Sequence, residues 1–222
     1  MSHDDFEIDL RSLAFIVVDE AYETDYEGTI VLDIGAHKGY YAAYAVQHGA
    51  RRVVAYEPES ANLEALERTA DAYRDDAAWT LRHAAVDATS GHADLHVMGA
   101  SWGHALRPPE KFARYEVGLE AVDVVALTHA LADVGEVGAG RVVVKMNIEG
   151  AECSAILGSA PDIWDGVSEV FVETHRWAAC DADALAAHLS ASGLTRLESA
   201  HPAVLRMRRG GRPRSGRRSD PR

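Results

Sequence analysis

Residues 30–36 read IVLDIGA, an apolar run that ends in an aspartate and a glycine. Residues 37–48 follow with helix-compatible composition before Gly49 supplies a left-handed stop. That is a strand, a tight turn and a helix. A strand that is apolar at nearly every position must be covered on both faces, and such strands belong to parallel sheets whose crossovers carry helices. The pattern recurs at once. RVVAY at 52–56 makes a second strand, Ser60 is placed to cap a second helix, and Leu63, Leu66, Ala70 and Tyr73 share one helical face.

A third strand is expected over Trp79–His83, and the alternation of HADLHV at 92–97 reads as an extra strand. From Gly99 to Gly118 no period holds. With Trp102, Gly103, His104 and the Pro108-Pro109 pair, that stretch is a candidate substrate loop. The alternation then resumes with a helix near Thr128–Val134, a strand over Arg141–Met146 and a helix over Ala151–Leu157 closed by Gly158. EVFVET at 169–174 is the next strand, Asp181 caps a helix carrying Leu185 and Leu189, and Gly193 ends it. Residues 194–197 and 203–207 pair as a final hairpin.

The expected architecture is therefore α/β, a doubly wound, mostly parallel sheet with a C-terminal antiparallel hairpin. Residues 1–28 form an N-terminal extension, 29–208 a single domain and 209–222 a disordered arginine-rich tail. In such sheets ligands bind beyond the C-terminal strand ends, which places function after Asp33, Tyr56, Met146 and Thr174.

The turn after the first strand, Asp33-Ile34-Gly35-Ala36-His37-Lys38-Gly39, is a D-x-G-x-x-x-G turn. Gly35 lets backbone approach a ligand and Gly39 lets the helix pack tightly. A dinucleotide fingerprint wants glycine where His37 stands, so that a pyrophosphate can lie against the turn. S-adenosylmethionine has no phosphate. It presents a carboxylate and an ammonium, which a helix N-terminus and nearby carboxylates can satisfy, with Asp33 holding the turn and orienting the ammonium directly or through water. Glu57 ends the second strand, where its two oxygens can accept from both hydroxyls of a ribose; the alternative is a solvated strand-end acid.

Taken together, VLDIGAHKGYYA at 31–42, AYEPESANLEAL at 55–66 and VVKMNIEGAECSAILG at 143–158 resemble the FkbM family of methyltransferases, over about residues 29–175. The resemblance implies a Rossmann-like class I methyltransferase fold, S-adenosylmethionine as cofactor, and methyl transfer to hydroxyls of sugars, polyketides and related metabolites. It implies cofactor contacts at Gly35, Ala36, Gly39, Glu57, Pro58 and Asn62, with Ala84, Ala85 and Val86 beside the adenine. His37 and Asn147 join that set. The sequence departs from the family pattern at Asn147, where an aspartate is usual, and an amide can be neither a base nor a good metal ligand. The segment before the first strand is short, so a substrate-capping element is either reduced or supplied by another subunit.

Methyl transfer from a sulfonium needs the acceptor aligned and its proton removed. Two strand ends offer Lys145, Asn147 and Glu149, and Glu173 and His175. His175 is the preferred base, against a hydrogen-bonded structural role. Glu149 either orients the acceptor or His175, or caps the following helix. Lys145 forms a structural ion pair, with Glu173 for example, or serves as a catalytic ammonium. Glu149, Glu152, Glu173 and His175 do not form a recognised metal-ligand pattern, and no metal is expected.

Composition narrows the partners. Residues 206–222 hold eight arginines and one aspartate while the whole chain carries −13, so the remainder is strongly acidic and repels phosphates. A small hydroxylated acceptor is expected rather than nucleic acid. The competing readings are a non-catalytic S-adenosylmethionine-binding interaction module and an RNA methyltransferase anchored by the arginine tail. No apolar run approaches a membrane span and residues 1–10 lack the order of a signal peptide, so a cytoplasmic location is expected. Cys153 and Cys180, without C-x-x-C spacing, are expected reduced and structural.

Overall fold

A computed structural model describes residues 3–134 and 140–210, with the side chains of residues 3–5 excluded. A helix α1 (His3–Leu13) continues into a π-helical turn (Ala14–Val18). The βα alternation follows: β1 (Ile30–Ile34), α2 (Tyr40–Gln47), β2 (Arg52–Tyr56), α3 (Ser60–Ala72) and β3 (Ala78–Arg82). Next come β4 (Ala85–Asp87), β5 (Gly91–Met98), a 3-10 turn (Glu110–Tyr115), β6 (Glu116–Ala126) and α4 (Leu127–Ala132). The chain closes with β7 (Val142–Met146), α5 (Glu152–Leu157), β8 (Val167–Glu173), α6 (Ala182–Ala191), β9 (Leu194–Leu197) and β10 (Val204–Arg209).

The main sheet has seven strands in the order β3-β2-β1-β7-β8-β10-β9. The first five are parallel, and β10 runs antiparallel between β8 and β9. Every residue of β1 and β7 is buried because both faces are covered. Ile30, Leu32 and Ile34 point into a core with α4, α5 and α6, whereas Val31 points into one with the N-terminal segment, α2 and α3. Strand order reverses between β1 and β7, and a crevice opens at such a switch point.

Several expectations need correction. Ser60 begins α3, but the cap is Glu59, whose carboxylate accepts from the Asn62 amide at 2.6 Å. Gly158 closes α5 as expected, with a negative φ, and a Cβ there would lie 2.6 Å from the Ser154 carbonyl oxygen. The irregular stretch after Gly99 is shorter than expected. Residues 116–118 already belong to β6, an eleven-residue strand that pairs with β5 and β4 in a separate three-stranded sheet.

Cys153 and Cys180 form a disulfide, with Cα atoms 5.6 Å apart, so they are not two reduced thiols. Their separation of 27 residues carries no signature; the fold alone brings the β8–α6 connection onto α5.

The arginine-rich end starts later than expected, because Arg206 and Arg208 both bond the buried Glu169 carboxylate and Arg209 lies in β10, bonding the Val167 and Trp164 carbonyls. The tail from 211 onward lies outside the described residues. Among the described residues no helix is long and apolar enough to cross a membrane.

Candidate cofactor and acceptor site

A cavity of about 450 Å³ opens at the C-terminal ends of β1, β2 and β7. Its wall includes Gly35, Ala36 and His37 from the first turn, Glu57, Pro58 and Asn62 from the second, Ala84, Ala85 and Val86, and Lys145, Asn147 and Glu149. Three predicted residues stand off that wall: Asp33, Gly39 and His175.

Gly35 has φ +76, and a Cβ there would fall 1.8 Å from the Asn147 carbonyl oxygen. The close approach that glycine permits is thus to the backbone following β7. Gly39, at φ +84, packs where a Cβ would meet Leu66 of α3 at 2.8 Å, the tight helix packing expected of it. Between them His37 also has positive φ, and its backbone N–H donates to Glu57 Oε2 at 2.7 Å. The imidazole lies 3.0 Å from Ser101 Oγ, and burial, with Lys38 nearby, lowers its pKa to about 3.

Glu57 is 5% exposed and takes a second amide, from Glu59, on Oε1 at 3.0 Å. Burial raises its pKa to about 7 against the pull of these two bonds. Each oxygen accepts one backbone hydrogen and keeps a further lone pair for a ligand. Asn62 donates from Nδ2 to the Ser101 carbonyl at 2.8 Å, fastening the irregular loop over the cavity. Ala84, Ala85 and Val86 are all buried, two of them in β4, so the second sheet supplies an apolar side to which Leu95 adds.

Lys145 does not reach Glu173. Its ammonium donates to Asp33 Oδ1 at 3.0 Å and to the Gly35 carbonyl at 2.7 Å, and Glu173 instead accepts from the Tyr22 hydroxyl at 3.0 Å. Asp33 is fully buried beneath the turn, where it holds Lys145 rather than facing the cavity. Asn147 donates its backbone N–H to the Ile34 carbonyl at 3.0 Å, and its buried Oδ1 has no hydrogen-bond partner among the described residues.

His175 Nε2 lies 3.2 Å from Glu149 Oε1, and Nδ1 lies 3.3 Å from Glu152 Oε1, a charge contact without hydrogen-bond alignment. Burial disfavours the imidazolium, yet the two carboxylates hold its pKa up at about 10. The residue preferred as base is thus an imidazole held between two carboxylates. No side chain caps α5; Glu152 instead accepts from the Ile148 and Gly150 amides of the preceding turn at 2.9 and 2.8 Å, and Glu149 stands on the cavity wall with its pKa raised by burial.

The sequence reading missed the N-terminal contribution. Arg11, Ser12, Phe15, Asp19 and Tyr22 line the same cavity, and Lys38 bonds Asp9 of α1 at 2.7 Å, fixing the segment to the first turn. The apolar run LAFIVV at 13–18 was the signal that could have found it.

A sequence profile described as the Methyltransferase FkbM domain matches residues 33–195. No curated protein sequence matches the chain. Among solved structures, the FkbM methyltransferase from Methylobacillus flagellatus aligns with a TM-score of 0.56 at 17% identity, over 88% of this chain and 47% of that one. This chain thus spans about half the length of that protein. A putative S-adenosylmethionine-dependent methyltransferase from Listeria monocytogenes aligns at 0.46 with 11% identity, over 89% of this chain and 97% of that one. Magnesium protoporphyrin IX methyltransferase from Synechocystis, solved with bound SAH, aligns at 0.47 with 11% identity, over 93% and 83% of the two chains.

Proposed function

Because the chain belongs to the FkbM methyltransferase family, we propose that it moves the methyl group of S-adenosylmethionine onto a hydroxyl of a small metabolite or saccharide. The observation that carries this reading is the bond from the His37 amide to Glu57, which joins the crowded turn and the ribose-type acid on one cavity wall. The residues fit the cofactor. Glu57 keeps acceptor capacity for two ribose hydroxyls, Pro58 and Ala84–Val86 offer an apolar slot for a base, and the unpartnered Asn147 Oδ1 suits an ammonium donor. When bound, the sulfonium supplies an activated methyl and its own leaving group.

The chain must then orient the acceptor and take its proton. Glu149 stands on the cavity wall with its pKa raised by burial, and in this reading it receives the proton of the acceptor hydroxyl. His175 acts from behind as a positioning residue, its charge stabilising the Glu149 carboxylate. Phe15, Tyr22 and Trp102 narrow the remaining wall and reduce the room for water.

Calorimetry with S-adenosylmethionine tests the cofactor half: binding to the purified chain that is lost in Glu57→Ala supports it, and no binding to the wild type sinks it. A screen of hydroxylated acceptors with labelled cofactor, read as the mass gain of one methyl group, tests the acceptor class.

A further inference from the structure

The connection from β8 to α6, residues 174–181, is fastened at three successive points to the turn after β7 and the start of α5. His175 contacts Glu149 and Glu152. Trp177 lies so close over Gly150 that a Cβ there would stand 2.4 Å from its ring, and Gly150 itself has φ +91. Cys180 is bonded to Cys153 in α5. Phe112, from the 3-10 turn, packs edge-on against Trp177 with centroids 5.7 Å apart, so the irregular loop leans on the same stack.

We propose that the Cys153–Cys180 disulfide, together with Trp177, is a positioning device for the acceptor half of the site, holding His175 against Glu149 so that this half is fully built only in the oxidised chain. The importance given to Glu149 rests on the methyl-transfer reading above; the fastening does not. The cofactor half hangs on the bonds of the His37 and Glu59 amides to Glu57 and on the Asp33–Lys145 pair, and neither cysteine takes part in these bonds. A crosslink serving overall stability would loosen everything together, whereas this one should loosen one side.

Reduction by a dithiol breaks the S–S bond, each sulfur gaining an electron and a proton while the reductant closes to its own disulfide. The full chain is compared oxidised, reduced, and as Cys153→Ala/Cys180→Ala, by hydrogen exchange and by the His175 ring resonances across pH. S-adenosylhomocysteine affinity is measured alongside. On opening the bridge, exchange in 149–153 and 174–181 is expected to rise about tenfold, that of 30–39 and of Asn147, whose amide bonds the Ile34 carbonyl, to stay unchanged, and affinity to hold within about twofold. The His175 titration should move down towards that of an ordinary imidazole as Glu149 and Glu152 release it. Trp177→Ala, which keeps the bridge, should give a smaller shift of the same sign.

Identical His175 titration in the oxidised and reduced chains overturns the proposal. So does exchange that rises evenly over the whole sheet, or alkylation of both cysteines in the unreduced protein. Local loosening without any S-adenosylhomocysteine binding supports the device while refuting the cofactor reading.

Discussion

Lys145 and Asp33 are register partners on adjacent parallel strands, and the ammonium stands 3.0 Å from the carboxylate with both side chains almost wholly buried. The same ammonium bonds the Gly35 carbonyl, so one cation ties β7, β1 and the first turn together. Removing one member of a buried pair strands the other charge, at a cost of about 3–5 kcal/mol. Lys145→Met is therefore expected to destabilise the chain by that amount in denaturant unfolding. Asp33→Asn combined with it should recover part of the loss, because no buried charge is then left uncompensated. A double variant no better than Lys145→Met would show the pair to be unimportant.

Glu57 titrates with a folded pKa near 7, above its ordinary value of 4.5, because burial disfavours the carboxylate. The folded chain thus binds this proton more tightly than the unfolded one, and its contribution to stability falls as pH rises between those two values. Ligand hydroxyls favour the ionised form. S-adenosylhomocysteine affinity is expected to climb from pH 6 to 8, and Glu57→Gln to flatten that rise while weakening binding about 10–100-fold, the worth of hydrogen bonds to a charged group. Calorimetry across this range reads both.

His175 has the opposite charge and an equally definite sign. Its folded pKa of about 10 lies above the ordinary 6.5. The stability it contributes is fully present below pH 6.5 and is lost as pH rises through 10. Melting curves of His175→Gln are expected to lie below those of the wild type at pH 6 and to converge with them above pH 10. Curves that stay parallel throughout would contradict the imidazolium clamp.

The βα frame and the meeting of the first turn with Glu57 at one cavity were legible because each rests on local pattern: apolar runs, the glycine turn, and Glu57 at a strand end. What escaped was set by distant chain segments. Lys145 pairs with Asp33 because parallel register places the two side by side, which spacing along the chain does not reveal. Cys153 meets Cys180 only through the β8–α6 connection. His175 is an ordinary imidazole by type, and its charge comes from two carboxylates beyond a different strand. The strand β6 alternates at Val117 and Leu119 and again at Val122 and Val124, but the phase shifts at Ala121 and the first two are exposed, so the pattern marks no single buried face.

Gly35 and Gly28 both have positive φ, but only Gly35 faces a neighbour. A Cβ at Gly28 would meet nothing within 4 Å, so Gly28→Ala carries backbone strain alone, about 1 kcal/mol. Gly35→Ala adds a collision with the Asn147 carbonyl oxygen and should cost more than about 3 kcal/mol or prevent folding. Comparable melting temperatures for the two variants would mean that the β1 and β7 ends do not approach this closely.

On the proposed function, Asn147 and Glu57 serve opposite ends of the cofactor. Among the described residues its Oδ1 is the one cavity-wall side-chain oxygen left buried without a partner, and a group with a hydrogen to donate relieves that cost. In the proposed arrangement the donor is the amino-acid ammonium, while Glu57 serves the ribose. Asn147→Ala is therefore expected to weaken S-adenosylhomocysteine about tenfold and to leave 5′-methylthioadenosine, which has no amino-acid portion, unaffected. Glu57→Gln should weaken both ligands alike, since both carry the ribose. The backbone bond from Asn147 to Ile34 survives either substitution, so the fold is preserved and the comparison is one of binding alone. If Asn147→Ala weakens both ligands equally, its amide serves the wall and not the ammonium.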